Sequence, residues 1–528
     1  MPPVTRRFPH GCVVSPHHLA SAAGHRVLTD GGNAVDAAVA ANLVLAVVTP
    51  YYCGVGGDLL AQVWDGTAHG VASTGRAPAG ATVEAVQRAV AEGHGDPSVA
   101  HAGTAGMPMF GALPVTVPGA VAGWFHLLER WGTRSFGELS MAARRLATDG
   151  FEITAEVAAR VDRARTRLAV EPGWEDHYGQ MRRGTRFRQP ELAATLQLLA
   201  EEGPAAMYRG TLAEAIAATL QARGSSMTVE DLAAHRVDEP TPLRGRYRDL
   251  EVLELPPPTQ GVTALTALAI AQELGPLPDD QGLAVHLQVE AVRAAMADRQ
   301  EHLADPDAMR TTPAALLTPE RIAGIAAGID PGQAAPWPAV RPAPGGTAYL
   351  CAADDDGLLV SLIQSNFVGF GSGVVVPGTG IGLHDRGAHF SLDASDPAAI
   401  GPGKRPLHTL IPGLALRDGR PWLVFGTMGG DGQPQIHLQV LSQLVDRGAD
   451  LGTALDAPRF IVDVADGSVA VESRATAALF QGLADRGNEV RRLAPYDDGA
   501  GHAHLIEVTE HGYAAASDPR CDGAAVGW

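Results

Sequence analysis

One boundary constrains the fold of this 528-residue chain more than any other feature: a proline- and glycine-rich run, residues 331–346, ends directly before an apolar strand. Proline fixes φ and lacks an N–H donor, so the run predicts an exposed, semi-rigid loop. Thr347 opens the strand. A cut before Thr347 would give it a free α-amine with a reference pKa of about 7.7–8.0. A hydroxyl beside such an amine is an activated nucleophile, although an ordinary loop entering a strand is the alternative.

Short motifs elsewhere in the chain follow one another in an order typical of one enzyme family. They lie at residues 31–40, 114–120, 297–299, 364–366, 371–373, 402–406, 428–431 and 517–520. The ordered set resembles the γ-glutamyltranspeptidases and their amidohydrolase relatives. The resemblance implies an α+β fold, the four-layer αββα sandwich of the N-terminal-nucleophile hydrolases. It also implies a chain that cuts itself immediately before a nucleophilic threonine, here Thr347.

Chain length alone would suggest two or three domains. The family resemblance implies instead one sandwich domain made of two processed pieces. Residues 1–346 would form a large subunit that ends in the Pro/Gly-rich linker, and residues 347–528 a small subunit that begins with the nucleophile. The expected partners are therefore a small-molecule amide substrate and the two processed chains of one heterodimer. Further pairing of such heterodimers is an additional expectation.

The bulk composition excludes several classes of partner. The net charge of −19 opposes nucleic-acid phosphates and anionic lipid. Four cysteines are too few for a disulfide framework, and neither they nor the histidines at 17–18 and 384–389 show metal-ligand spacing. We therefore expect no metal and no other cofactor. No apolar stretch is long enough for a membrane span, and no apolar segment follows Arg6 and Arg7, which predicts a cytoplasmic protein.

The pattern of apolar residues predicts mostly helices before the linker and strands after it. Residues 33–48 predict a buried helix capped by Asn33 or Asp36. Short strands are expected at 59–64 and 71–74, a mainly helical region at 136–273, and an amphipathic helix at 286–303. Beyond the linker, strands are expected at 347–353, 358–364 and 422–426, followed by a helix at 436–451.

Self-cleavage would be the first chemical step. The Thr347 hydroxyl would attack the carbonyl carbon of Gly346 and form an ester that water then opens. Gly345 and Gly346 allow backbone conformations that other residues avoid, so strain at this bond is sterically possible. The mature Thr347 would use the same hydroxyl on substrate amides, with its own α-amine as general base.

The family resemblance assigns the remaining catalytic roles. Gly429 and Gly430 match the pair whose N–H groups form the oxyanion hole, although a plain glycine turn is the alternative. Ser365 falls where the family places a hydroxyl that orients the nucleophile. Asn366 is the neighbouring polar group, and one of these two side chains could instead face solvent.

Substrate recognition is where the sequence departs from the family pattern. Arg76 matches the arginine that binds the substrate α-carboxylate, and its planar fork suits that contact. The family aspartate that holds the α-ammonium of a glutamyl group is replaced by His389, and a serine pair is replaced by His408 and Thr409. A histidine cannot supply a fixed negative charge, and Arg386 adds a positive one. We therefore expect a pocket for an acyl group that has a carboxylate but no α-amine.

This pattern resembles the branch that includes glutaryl-cephalosporin acylases and oxamate amidohydrolase. The main hypothesis is a self-processing threonine amidohydrolase that cleaves amides of small carboxylate-bearing acyl groups through an acyl-enzyme. Three alternatives stay open. The chain could be a γ-glutamyltranspeptidase or glutathione hydrolase in which another acid holds the ammonium, a biosynthetic relative acting on a C–C bond, or a catalytically silent binding protein.

Overall fold

The computed structural model describes residues 4–96, 98, 104–171, 173–337, 340–342 and 345–528, so parts of the predicted linker lie outside the described residues. The strands are β1 Arg6–Phe8, β2 Cys12–Ser15, β3 Asp58–Trp64, β4 Ala68–Ser73, β5 Phe151–Glu152, β6 Arg186–Phe187, β7 Leu243–Tyr247, β8 Leu250–Glu254, β9 Gly346–Ala353, β10 Leu359–Phe367, β11 Val375–Val376, β12 Ile381–Gly382, β13 Gly413–Arg417, β14 Arg420–Thr427, β15 Phe460–Val462, β16 Val469–Glu472, β17 Val490–Leu493, β18 Ala503–Thr509, β19 Gly512–Ser517 and β20 Ala524–Gly527.

The helices are α1 His18–Thr29, α2 Ala34–Val48, α3 Val83–Ala91, α4 Ala120–Trp131, α5 Phe136–Leu139, α6 Met141–Asp149, α7 Ala155–Leu168, α8 Trp174–Tyr178, α9 Pro190–Glu202, α10 Ala205–Tyr208, α11 Thr211–Gln221, α12 Val229–Ala233, α13 Gly261–Glu273, α14 Gln281–His302, α15 Pro313–Leu316, α16 Pro319–Ala327, α17 Gln433–Val445, α18 Leu451–Asp456 and α19 Ala477–Asp485. Within the described part of the chain, none of them combines the length and apolar character needed to cross a membrane.

Two large antiparallel sheets dominate the architecture. The first sheet has seven strands in the order β1-β19-β18-β14-β13-β8-β7. The second sheet has six strands in the order β20-β2-β9-β10-β3-β4. The strand that begins at the predicted cut, β9, therefore lies inside the second sheet between β2 and β10.

The side chains of β9 point alternately to the two faces of the second sheet, and their contacts show how the layers are stacked. Tyr349 and Cys351 contact Leu414 of the first sheet in a core between the two sheets. Ala348 and Leu350 point the other way and pack in the core formed with helices α1, α2 and α4. Helices α13, α14 and α17 cover the outer face of the first sheet. The predicted four-layer αββα sandwich is confirmed.

Helix α2 follows the sequence prediction closely. The Asn33 side chain accepts from the Asp36 N–H, and the Asp36 carboxylate accepts from the Asn33 N–H, so both residues take part in one capping box. All the side chains of the helix are buried, because small alanines let it pack closely between neighbouring helices and the sheet. Helix α2 packs against strands β9 and β10.

Two regions differ from the sequence predictions. The region 136–273 also contains the hairpin β7–β8 at the edge of the first sheet, whose first strand carries polar residues and so lacks an apolar run. The helix predicted at 436–451 is two helices, α17 and α18. Gly448 adopts a φ of +63° between them, a left-handed conformation that ends helices.

Candidate active site

Three polar side chains form a row on one face of the second sheet. Ser365 in β10 pairs with Thr347 in β9 on one side and with Asp58 in β3 on the other. Directly opposite residues in an antiparallel sheet point to the same face, and here that face looks into the space between the two sheets. All three residues are buried. A row of buried polar groups is costly unless each group has partners, and each of the three has them.

The hydroxyl of Ser365 connects the predicted nucleophile to the bond that it would attack. Thr347 Oγ1 donates to Ser365 Oγ at 3.2 Å, and Ser365 Oγ donates to the carbonyl oxygen of Gly346 at 2.7 Å. The amide of Phe367 donates to the same serine oxygen at 2.8 Å. Ser365 therefore orients the threonine hydroxyl and also polarises the carbonyl group that precedes it.

A strained backbone conformation at Phe367 directs its amide toward Ser365. The β9–β10 register shifts between Ser365 and Phe367, and Phe367 has a φ of +76°. A bulky residue in this region is unusual, and such strain is found mainly at functional sites. Here it turns the amide of Phe367 toward Ser365 and places the phenyl ring under Arg386, whose guanidinium carbon lies 4.3 Å from the ring centre.

A glycine turn follows β14 and lies against the cleavage segment. Gly429 and Gly430 have φ values of +149° and +54°, which favour glycine at both positions. A Cβ atom added to Gly345 would stand only 2.8 Å from the nitrogen of Gly430 and 3.7 Å from Thr347 Oγ1. The turn is thus close to the bond before Thr347, where backbone N–H groups could receive an oxyanion.

A buried glutamine that the sequence analysis did not select holds this turn. Gln260 Nε2 donates to the carbonyl oxygens of Gly430 and Thr409, each at 2.8 Å. Its Oε1 accepts from Arg299 at 2.9 Å, and Arg299 also pairs with Asp431, the residue after the turn. Arg299 lies in the 297–299 motif, but the motif alone did not indicate this contact.

Asp58, at the far end of the row, is surrounded by basic side chains. Its Oδ1 accepts from the Gly75 N–H at 3.2 Å. Its Oδ2 lies 3.3 Å from His408 Nε2, 3.6 Å from His384 Nδ1 and 3.8 Å from Arg386 Nε. Burial raises the pKa of Asp58, but the three surrounding side chains lower it by more, so the carboxylate stays ionised.

The two histidines beside Asp58 are neutral. His384 Nε2 lies 2.9 Å from the Thr116 carbonyl oxygen, which can only accept, and His384 Nδ1 accepts from the Arg386 N–H at 3.2 Å. These two contacts fix the neutral Nε2–H tautomer. Burial, together with the neighbouring charge of Arg386, lowers the pKa of His408 to about 4. The cluster therefore holds one negative charge and one positive charge at neutral pH.

Arg386 supplies the positive charge of the cluster. It is fully buried, and its Nη1 donates to Thr409 Oγ1 at 3.2 Å. Burial lowers the pKa of Arg386 to about 10, which leaves the guanidinium charged at neutral pH. Its Nε and Nη2 atoms make no hydrogen bond with any described residue. A buried guanidinium with unused donors is suited to receive a carboxylate.

The family model for gamma-glutamyltranspeptidase matches residues 20–528. The chain belongs to this family. Among its relatives, the oxamate amidohydrolase proenzyme of Klebsiella pneumoniae is 38% identical, and the match covers 98% of each chain. The glutathione hydrolase-like YwrD proenzyme of Bacillus subtilis is 36% identical, again over 98% of each chain. The crystal structure of a cephalosporin acylase from Bacillus halodurans superposes with a TM-score of 0.92 at 35% identity, covering 99% of this chain and 97% of the other.

The structure does not bring every predicted site residue of this γ-glutamyltranspeptidase family member to the nucleophile. Asn366 follows Ser365 and points to the opposite face of β10, where its Nδ2 donates to the Pro50 carbonyl oxygen at 3.3 Å. Both Ser365 and Asn366 are buried, so neither faces solvent. Arg76 is exposed, and its Nη1 donates to the Gly403 carbonyl oxygen at 2.8 Å.

His389 is more deeply buried than Arg76. It is buried, and its ring meets the Phe367 ring edge-on with centroids 6.3 Å apart. Its carbonyl oxygen accepts from Arg341 at 3.4 Å. The predicted site residues that the structure brings together are Arg386, His408 and Thr409, which with Asp58 and His384 form what we call the inner cluster.

Asp58 had a weak sequence signal that the analysis did not use. It is the first residue of β3, directly after a glycine-rich turn. A charged side chain at the start of a buried strand is costly to bury, so it indicates a functional or pairing role. Within the part of the chain that the structure describes, no group of three or more histidine, cysteine or acidic side chains is arranged to hold a metal ion.

Proposed function

We propose that this family member cuts itself before Thr347 and then hydrolyses amides of small acyl groups that carry a carboxylate but no α-amine. The observation that carries the substrate assignment is Arg386, a fully buried guanidinium whose Nε and Nη2 donors are unused among the described residues. Asp58 balances its charge from 3.8 Å, beyond hydrogen-bond distance, and buried donors left without a hydrogen bond are unfavourable. A substrate carboxylate would use these donors.

Self-cleavage would use the two hydrogen bonds of the Ser365 hydroxyl, one with Thr347 Oγ1 and one with the Gly346 carbonyl oxygen. Thr347 Oγ adds to the Gly346 carbonyl carbon while Ser365 Oγ donates to the carbonyl oxygen. The C–N bond then breaks, the proton of the hydroxyl passes to the released nitrogen, and an ester remains. Water cleaves the ester and leaves a Gly346 carboxylate and a free Thr347 α-amine. The products are two chains that stay together as a heterodimer.

Turnover repeats the same addition on a substrate amide. The free α-amine of Thr347 takes the proton of the hydroxyl as the oxygen attacks, and later gives it to the leaving amine. The oxyanion that forms would be held by the N–H groups of Gly429 and Gly430, which lie against the segment before Thr347. Water then releases the acid from the acyl-enzyme.

The surroundings of Asp58 argue against a γ-glutamyl substrate. An α-ammonium group needs an anionic partner, and Asp58 is the one ionised carboxylate that we identify in the inner cluster. Nitrogen atoms of His384, His408 and Arg386 lie within 3.3–3.8 Å of its Oδ2 and fill the approach to it. An incoming ammonium would also meet the charge of Arg386. A carboxylate without an adjacent amine avoids both problems.

Arg76 would make a second, outer contact with the substrate. It lies on the wall of a cavity of about 570 Å³, together with Thr259 and Arg405. Thr259 pairs through its backbone with His408, so this cavity adjoins the inner cluster. An exposed guanidinium at such a place can attract an anionic substrate before Arg386 binds it.

Substitution of Arg386 tests the substrate assignment. Arg386→Gln should lower kcat/KM for a glutaryl amide about 10- to 100-fold, the value of a charge-assisted hydrogen bond, and should affect the neutral butyryl amide much less. Arg417→Gln is a control, because Arg417 also stacks on an aromatic ring, that of Trp422, but at the turn between β13 and β14. Equal losses on both amides would contradict the assignment.

The cytoplasmic location and the further pairing of heterodimers remain proposals. The absence of disulfides among the four cysteines supports a reducing compartment. Cell fractionation and the measured mass of the native protein test the two proposals separately.

A further inference from the structure

Gln260 makes three buried contacts that do not serve its own helix. It precedes α13, and its side chain does not cap that helix. Instead the carboxamide reaches the carbonyl oxygens of Gly430 and Thr409 and the guanidinium of Arg299. A completely buried side chain that spans three separate segments is a candidate for a positioning role.

The contacts fix the orientation of this amide group. Carbonyl oxygens only accept hydrogen bonds, so the NH₂ end must face Gly430 and Thr409, and Oε1 must face Arg299. Arg299 is held in turn by Asp431 and by the carbonyl oxygen of Arg341. Both N–H bonds of the amide are used, and a glutamate or a shorter side chain could not reproduce the arrangement.

Backbone hydrogen bonds and the Gln260 side chain together hold the glycine turn. Glycine loses more conformational freedom on ordering than other residues, and two glycines in succession depend on hydrogen bonds to keep one geometry. The Gly429 carbonyl oxygen accepts from the Gly432 N–H at 2.8 Å, and the Gly430 carbonyl oxygen accepts from the Gln433 N–H. The Gln260 amide donates to the same Gly430 oxygen and also connects the turn to Thr409, whose hydroxyl touches Arg386.

Self-cleavage uses a different hydrogen-bond donor. In the uncut chain, the carbonyl oxygen of Gly346 accepts from Ser365 Oγ, a group that Gln260 does not contact. We infer that Gln260 is a positioning residue that holds the Gly429–Gly430 turn for substrate turnover and contributes much less to self-cleavage. The inference rests on the proposed function, because it takes this turn to be the oxyanion site.

The two reactions can be measured separately in Gln260→Met, which keeps the side-chain length without the amide. Purified protein should still be cut, with a self-cleavage rate within about fivefold of wild type. Its kcat on a glutaryl amide should fall about 100-fold, the range for a lost oxyanion donor, with KM changed less than threefold. Gln189→Met is the matched control, since Gln189 is equally buried and donates to the Val47 carbonyl oxygen at the end of α2 rather than to the glycine turn.

Gln260→Glu adds a second measurement, the pH dependence of kcat, which would not change if Gln260 only supported the fold. Its carboxylate form donates no hydrogen bond, whereas its protonated form donates one. The ratio of variant kcat to wild-type kcat should therefore rise as the pH falls. A ratio that does not change with pH would overturn this inference but not the proposed function. Unchanged kcat in the cut Gln260→Met protein would do the same. Equal losses of cutting and turnover would also overturn it. A wild type that neither cuts nor hydrolyses amides would instead refute the proposed function.

Discussion

The hydroxyl oxygens of Thr347 and Ser365 lie 3.2 Å apart across two antiparallel strands, in the middle of a large sheet rather than on a mobile loop. Strand pairing thus sets the distance between the proposed nucleophile and the group that orients it. A site built on paired strands is held more precisely than a site on loops. Single side chains of the site can therefore be changed while the sheet stays in place.

Thr347→Ala should leave one uncut and inactive chain, because the attacking oxygen is removed. Thr347→Ser should still be cut, more slowly, since it keeps the hydroxyl but loses the methyl group that restricts its rotation. Intact-mass measurement of wild type should show chains of 346 and 182 residues. An uncut wild-type protein that hydrolyses amides would contradict the cleavage mechanism.

Ser365→Ala should slow self-cleavage about 100-fold, because the carbonyl oxygen of Gly346 loses its donor. The time course of cutting after synthesis, followed on denaturing gels, measures this rate. Ser361→Ala is the control: Ser361 lies on the same strand and contacts the Tyr349 hydroxyl at 3.0 Å, away from the cleavage bond. Equal effects of the two substitutions would mean that Ser365 acts through sheet stability alone.

His408 should make the protein sensitive to acid. Its pKa is about 4 in the folded protein and 6.5 in its ordinary state, so between these values the unfolded chain binds a proton that the folded chain does not. Stability is therefore lost as the pH falls through this range. Both proteins should lose unfolding free energy as the pH falls from 6.5 to 5. The loss should be about 2 kcal/mol smaller in His408→Gln than in wild type, as measured by urea titration at each pH. Parallel losses in the two proteins would contradict this.

Arg76→Ala should raise KM for a glutaryl amide several-fold and change kcat little, because its guanidinium lies at the cavity wall rather than beside Thr347. The effect on a neutral acyl amide should be smaller, since only the carboxylate is attracted by the lost charge. Steady-state kinetics with both substrates provide the check. Equal KM increases would show that Arg76 only supports the Gly403 loop.

The proposed site residues that lie in local motifs have a sequence signal of their own. Thr347 follows a linker, and the glycine turn follows an apolar strand, so each carries its own signal. Asp58 and Gln260 lie far from Thr347 in sequence, and only strand pairing and helix packing bring them near it. Asn366 was predicted together with Ser365, and its contact with the Pro50 carbonyl oxygen lies at a register shift of β10 that the sequence does not reveal.

The matched amides glutaryl-p-nitroanilide and γ-glutamyl-p-nitroanilide, which differ only in the α-amine, test the central claim most directly. The cut wild-type enzyme should show a kcat/KM about 10- to 100-fold higher for the glutaryl amide, because the ammonium group would meet Arg386 without reaching Asp58. A higher kcat/KM for the γ-glutamyl amide would contradict the claim and would show that a carboxylate in this pocket binds the amine.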